Sequence, residues 1–180
     1  LLSEQSADTF QGVKFYNLDE YCVADQDSYR FLDHNDDRSY RYYMSCKILN
    51  AIPTIQSFFP EIDNIGTPGT YDKFIRANGG LDLAINSIGV DGHIFGFNIP
   101  GSEFDSVTRL IPLNEETRQV NARLTGGDIP THAISAGIQT GLMAHEVITI
   151  LSGERKANIL RSALFDDISP TLPATVLRQH

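Results

Sequence analysis

An α/β fold with a mostly parallel sheet is what this sequence predicts, on three observations. Short apolar, β-branched runs alternate along the chain with segments whose apolar residues recur every three or four positions. The 180 residues suit one domain spanning 1–180 and suffice to bury a sizeable core. Hydrophobic residues make up 41% and charged residues 21%, the balance of a folded chain rather than a disordered one.

Each element has its own local signal. Residues 13–17, Val-Lys-Phe-Tyr-Asn, read as a short strand running into Leu18-Asp19-Glu20-Tyr21. Residues 25–38 are polar and dense in Asp, and read as a loop. Asp37 or Ser39 can cap a helix reaching about residue 52, because Tyr40, Tyr43, Met44, Ile48 and Ile52 share one face; Pro53 stops it. Residues 60–68 are irregular, and 71–78 form a short helix ended by Gly79-Gly80. Residues 81–88 are the best candidate for a central strand, followed by a glycine-rich stretch to Gly101. Residues 107–113 read as another strand. Asn114 caps a helix through Arg123, with Glu115 and Glu116 in its positively polarised first turn. After a loop at 126–130, residues 147–151 form an apolar strand, and Ser152-Gly153 turns into a helix over about 154–164.

Charge and composition exclude several functions. Asp and Glu total 23 against 14 Lys and Arg, so a net charge of −9 argues against a broad surface for nucleic acid or anionic membrane. It leaves room for a local phosphate pocket. Cys22 and Cys46 are too few for a disulfide scaffold or a Cys-rich zinc site, and read as reduced thiols. No apolar run approaches the ~20 residues that span a bilayer, and no secretory leader opens the chain, so a cytoplasmic protein is expected. The chain starts at Leu1, which reads as a processed end or a start inside a longer protein.

In parallel sheets, ligands sit beyond the carboxyl ends of strands, and two polar motifs fall at such ends here. An acidic pair such as Asp19-Glu20 is ordinarily a solvated turn; its chemical reading is a general base beside a substrate carbon. Gly89-Val90-Asp91-Gly92-His93 is more specific. Its glycines allow a sharp turn and a close ligand, and Asp91 can orient the imidazole of His93, which titrates near neutral pH. The plain alternative is a satisfied turn histidine. No further ligand stands at a metal-binding spacing. Arg123 and Lys156 read as solvated charges or as a phosphate clamp, with Gly153 before the last helix adding modest support.

Together these segments resemble the glucosamine-6-phosphate deaminase (isomerase) family, within the group that includes 6-phosphogluconolactonases. The resemblance rests on Asn17-Leu18-Asp19-Glu20-Tyr21, on Gly89 to His93, on Phe97-Asn98 with Pro100-Gly101-Ser102, on Thr117-Arg118-Gln119-Val120-Asn121-Ala122-Arg123, and on Gly153-Glu154-Arg155-Lys156-Ala157, in order. It implies a three-layer, Rossmann-like fold and conversion of glucosamine 6-phosphate and water to fructose 6-phosphate and ammonia. It implies no metal or other cofactor, a small phosphosugar as partner, and neither nucleic acid nor membrane; a homo-oligomer is compatible with it. Asp19 matches the base at sugar carbon 2. His93, supported by Asp91, matches the acid–base that opens the pyranose ring. Arg123 and Lys156 match residues that hold the phosphate.

Three departures qualify these expectations. Ile99 stands where the family's ring-opening Glu follows Phe-Asn, and the loop from His93 to Phe97 is one residue longer. Glu103 is near enough to be suspected as a substitute. The family's N-terminal strand, its Gly/Ser/Thr phosphate loop and its last C-terminal stretch have no counterpart in these residues, which suggests a fragment. The family's allosteric site is only partly echoed: Ser102 and Arg109 match, but Ile111 replaces a basic residue, and no activation is expected. Two alternatives therefore stand beside the deaminase: a phosphosugar isomerase or lactonase of altered specificity, and a sugar-phosphate-binding regulator without turnover.

Overall fold

A computed structural model of the chain describes residues 7–52 and 54–180. The fold is mixed α/β, as expected. Its contacts fall into two compact units: one draws on the described residues up to 62 and on 110–134, the other on 63–109 and 135–180.

In the first unit, strand β1 (Lys14–Tyr16) pairs in parallel with β4 (Gln56–Phe58), Lys14 opposite Gln56 and Tyr16 opposite Phe58. Tyr16 and Phe58 stack, with ring centroids 5.2 Å apart. A four-stranded sheet has the order β3-β2-β7-β6, from β2 (Asp19–Asp25), β3 (Ser28–Phe31), β6 (Arg109–Pro112) and β7 (His132–Ser135). Strands β2 and β3 form an antiparallel hairpin turning at Gln26-Asp27, so part of the stretch expected to be a loop is strand. Helix α1 (Tyr40–Lys47) starts on the side chain of Ser39, which accepts the Tyr42 N–H at 3.3 Å. It is shorter than the sequence implies: a 3₁₀ turn, Leu49–Ala51, continues it, and Pro53 lies outside the described residues. Helix α3 (Glu115–Thr125) is capped by Asn114, whose Oδ1 accepts the Thr117 N–H at 2.8 Å, and it closes on Gly126 at φ 76°.

In the second unit, helix α2 (Thr70–Ala77) ends before Gly79 and Gly80, both at positive φ. Strand β5 (Leu83–Asn86) pairs in parallel with β8 (Glu146–Thr149). The apolar character of β5 on both faces predicts a central strand; among the described residues β8 is its one neighbour, and Leu83, Ile85, Ile148 and Ile150 are exposed. The other face of this pair packs through Ala84 and Val147 on a core of Ile88, Ile94, Phe95, Ile138, Ala163, Ala174 and Val176. Burial of each large side chain there contributes roughly 1.5–3 kcal/mol. Helices α4 (Ile138–Leu142) and α5 (Ala157–Phe165) flank it. Gly141 lies under the ring of Phe95: a Cβ there would come within 2.2 Å of Cδ1. No helix among the described residues is long and apolar enough to cross a membrane.

Candidate active site

The best-defined cluster sits just past the carboxyl end of β5. The chain leaves Asn86 and folds into a tight turn in which Gly92 N–H donates to the Gly89 carbonyl at 3.0 Å and Gly89 N–H donates to the His93 carbonyl at 2.9 Å. Gly92 adopts φ 93°, where side chains are strained. Gly89 is required for a different reason. A Cβ on it would lie 2.2 Å from two atoms of the His93 ring and 2.6 Å from Asp91 Oδ1. The imidazole thus rests directly on the Gly89 backbone.

This turn brings Asp91 and His93 together, as the sequence predicts. His93 Nδ1 lies 2.7 Å from Asp91 Oδ1, and the His93 backbone N–H donates to the same oxygen at 3.2 Å. Burial of the Asp91 carboxyl pushes its pKa up, but the hydrogen bonds and charge of His93 outweigh this and hold it below the ordinary 3.8. A carboxylate can only accept, so Nδ1 carries the proton and Nε2 is left for chemistry. Because the folded pKa is depressed, the stabilisation from this pair is full above 3.8 and is lost as pH falls through the lower folded value. The variant Asp91→Asn is therefore expected to melt below the parent at neutral pH, with the gap closing under acid; melting curves across the acid range check this.

Lys156 closes a 3₁₀ turn, Glu154–Lys156, just before α5, and its Nζ donates to the Ile88 carbonyl, immediately before Gly89. An ammonium is thereby fixed at the base of the Asp91–His93 turn. Ile94 and Asn98 form an antiparallel bridge, so His93 and Ile99 oppose each other across it. Ile94 and Asn98 are fully buried, and His93 and Ile99 are half-buried. Glu103 is exposed, and no hydrogen bond or ion pair links it to His93 among the described residues.

Asp19 and Arg123 belong to the first unit. Asp19 opens β2. Just before it, Asn17 locks the end of β1 to β4: its Nδ2 donates to Ser57 Oγ at 2.9 Å and to the Phe58 carbonyl at 2.8 Å. Tyr21 and Tyr40 stack, with their hydroxyls 3.3 Å apart, and Tyr21 is hydrogen-bonded to Asn121 of α3. Burial first, and the nearby Asp19 charge in addition, push the Tyr21 phenol up to about 12 and the Tyr40 phenol well above its usual value. Both stay neutral beside Asp19. Arg123 is exposed on the last turn of α3. Glu20 points to the opposite face of β2 from Asp19 and is buried against the start of α1. Its structural role has no local sequence signal.

Cys22 is buried and Cys46 exposed, both as free thiols. No group of three or more His, Cys, Asp or Glu able to hold a metal occurs among the described residues.

The site thus defines an α/β, Rossmann-like chain with a carboxylate–imidazole pair and a lysine beyond the carboxyl end of a parallel strand. No protein-family model matches the chain. It is 35% identical over an alignment 188 positions long to a glucosamine-6-phosphate deaminase of Shouchella clausii, covering 99% of this chain and 71% of that one. A Bacillus pumilus glucosamine-6-phosphate deaminase is 36% identical over 182 residues, covering 96% and 70%. The solved structure of a monomeric glucosamine-6-phosphate deaminase superposes with a TM-score of 0.78 at 33% identity, covering 95% of this chain and 70% of that one. A 6-phosphogluconolactonase from Trypanosoma cruzi shares the fold, with a TM-score of 0.69 at 15% identity over 98% of this chain and 71% of that one. The chain belongs to the glucosamine-6-phosphate deaminase family.

Proposed function

We propose that this chain converts glucosamine 6-phosphate and water to fructose 6-phosphate and ammonia, as a cytoplasmic enzyme acting on a small phosphosugar. The observation that carries this reading is the Asp91–His93 pair, joined at 2.7 Å beyond β5 in a member of the deaminase family. An aldose–ketose isomerisation needs one group that protonates the ring oxygen as the pyranose opens. It needs a second that carries a proton from carbon 2 to carbon 1. His93 takes the first role through Nε2, which accepts the proton of the carbon-1 hydroxyl and passes it to the ring oxygen as the ring bond breaks, while the Asp91 anion holds the tautomer and stabilises the transient imidazolium. Asp19 takes the second. Once the double bond has moved, water adds at carbon 2 and ammonia leaves. Arg123, a planar fork, and Lys156, a point charge, bind the phosphate and orient the sugar without entering the chemistry.

Ile99 favours a second reading. An isoleucine opposite His93 supplies no carboxylate to share the ring-opening proton, which suits a substrate that opens readily or a lactone. One assay separates the readings. Ammonia and fructose 6-phosphate are followed together from glucosamine 6-phosphate, for the parent and for Ile99→Glu. Equal release of both products is expected. Ile99→Glu is expected to raise kcat by a factor on the order of ten to a thousand, the range that one such partner contributes. Folded protein releasing no ammonia in either form would overturn the deaminase. Phosphosugar lactones would then test for hydrolysis, and ligand titration without turnover would support a binding role.

A further inference from the structure

We propose that Arg109 is a positioning residue for His93, acting through Asn98 and not through a ligand of its own. The loop from Ile94 to Ile99 needs such a support. Phe95 sits at φ 46° and Gly96 at φ 88°, and the left-handed region is unfavourable for a phenylalanine. Three side chains hold the loop in this shape. Asn86 Oδ1 accepts the Phe95 N–H at 2.8 Å, and Ser135 Oγ accepts the Phe97 N–H at 3.0 Å. Asn98 Nδ2 donates towards the carbonyls of Ile94, Phe95 and Ala136 at 3.2, 2.8 and 2.9 Å.

Asn98 is fully buried, and its carboxamide can serve those carbonyls in only one of its two orientations. Arg109 selects that orientation. Its Nη1 lies 3.1 Å from Asn98 Oδ1 and 3.1 Å from the Val107 carbonyl, and a guanidinium only donates. Burial disfavours the Arg109 charge, and the nearby Asp72 carboxylate favours it. Asp72 is itself buried and fixed, accepting the Thr108 N–H at 2.9 Å and the Thr140 hydroxyl. The Asp72 charge thus favours the Arg109 cation, and the contact itself runs from Arg109 to Asn98. The Ile94–Asn98 bridge passes it to His93, whose backbone N–H sits on Asp91.

The inference rests on the role given to His93, and the test keeps the two apart. In the full chain, Arg109→Met removes the donor while keeping an apolar stem. Its kcat for ammonia release is expected to fall about tenfold to a hundredfold, as displacement of a reacting group by roughly 1 Å does. KM is expected to stay within about twofold, since substrate binding is untouched. The ring ¹⁵N signals of His93 should shift, reporting a loosened Asp91–His93 bond. Arg109→Lys, which can still donate to Asn98, should recover part of the rate. Asn98→Asp retains the Arg109 contact but loses the three-carbonyl donor, and should reproduce the loss if Arg109→Met fails to fold. Parent-like kcat and His93 signals in folded Arg109→Met, or a rise in KM alone, would overturn the proposal. Full ammonia release by His93→Ala would instead overturn the role of His93 itself.

Discussion

Asp19→Asn should lower kcat by about 10²–10⁴ while leaving the fold and KM close to those of the parent. The amide matches the carboxylate in volume but cannot take a proton from carbon 2. The site is rigid enough for such a replacement to be read cleanly. Asn17 ties the preceding strand to Ser57 and Phe58, and the stacked phenols of Tyr21 and Tyr40 border the carboxylate as neutral groups. Solvent hydrogen exchange at carbon 2 of the sugar provides a second readout, independent of ammonia release. It should fall by the same factor, because both require the same proton to leave. Exchange that persists at the parent rate would transfer the role to another base.

The features that were legible in the sequence are those whose cause is local. Asn114 is a cap because its own side chain reaches an N–H three residues on, and Ser39 works in the same way. The Asp91–His93 pair was legible because two residues of spacing between glycines leave the side chains little choice of neighbour. Strand β3 was hidden because the Gln26-Asp27 turn lacks the Asn-Gly or Gly signature of a tight hairpin, although Gln26 adopts φ 50°. Strand β7 is only His-Ala-Ile-Ser, and Ala133, Ile134 and Ser135 are all fully buried. A strand buried on both faces shows no alternation, and four residues are too few to show a run. Asn98 and Arg109 were out of reach for another reason. Arg109 matches a position that the resemblance associates with an effector, yet here it is turned inward on Asn98. Whether an arginine faces solvent or a carboxamide depends on a contact eleven residues away.

Removing Glu20, the second member of the acidic pair that opens β2, should destabilise the fold by about 3–5 kcal/mol, the range for breaking a buried charged network. Glu20 is fully buried. Its oxygens accept the Tyr21 N–H at 2.9 Å, the Ser39 hydroxyl at 2.9 Å, the Tyr40 N–H at 3.2 Å and the Arg41 N–H at 2.9 Å, and Arg41 Nε stands 4.0 Å away. Two of these donors belong to the first turn of α1, where N–H groups have no partner within the helix and the dipole favours an anion. Glu20 therefore anchors α1 to β2, and Asp19 emerges from the other face of the anchored strand. In Glu20→Ala, several buried donors lose their acceptor at once. For a chain of this length each kcal/mol lowers Tm by roughly 2–4 °C, so a fall on the order of 6–20 °C is expected. Glu20→Gln keeps the shape and one acceptor oxygen but turns an amide towards N–H donors, so its Tm should lie between the two. A Tm for Glu20→Ala close to the parent's would mean that Ser39 alone holds the start of the helix. A graded loss from parent to Gln to Ala would assign the anchoring to the charge as well as the shape of Glu20, and would separate it from the proton chemistry proposed for Asp19 one residue away.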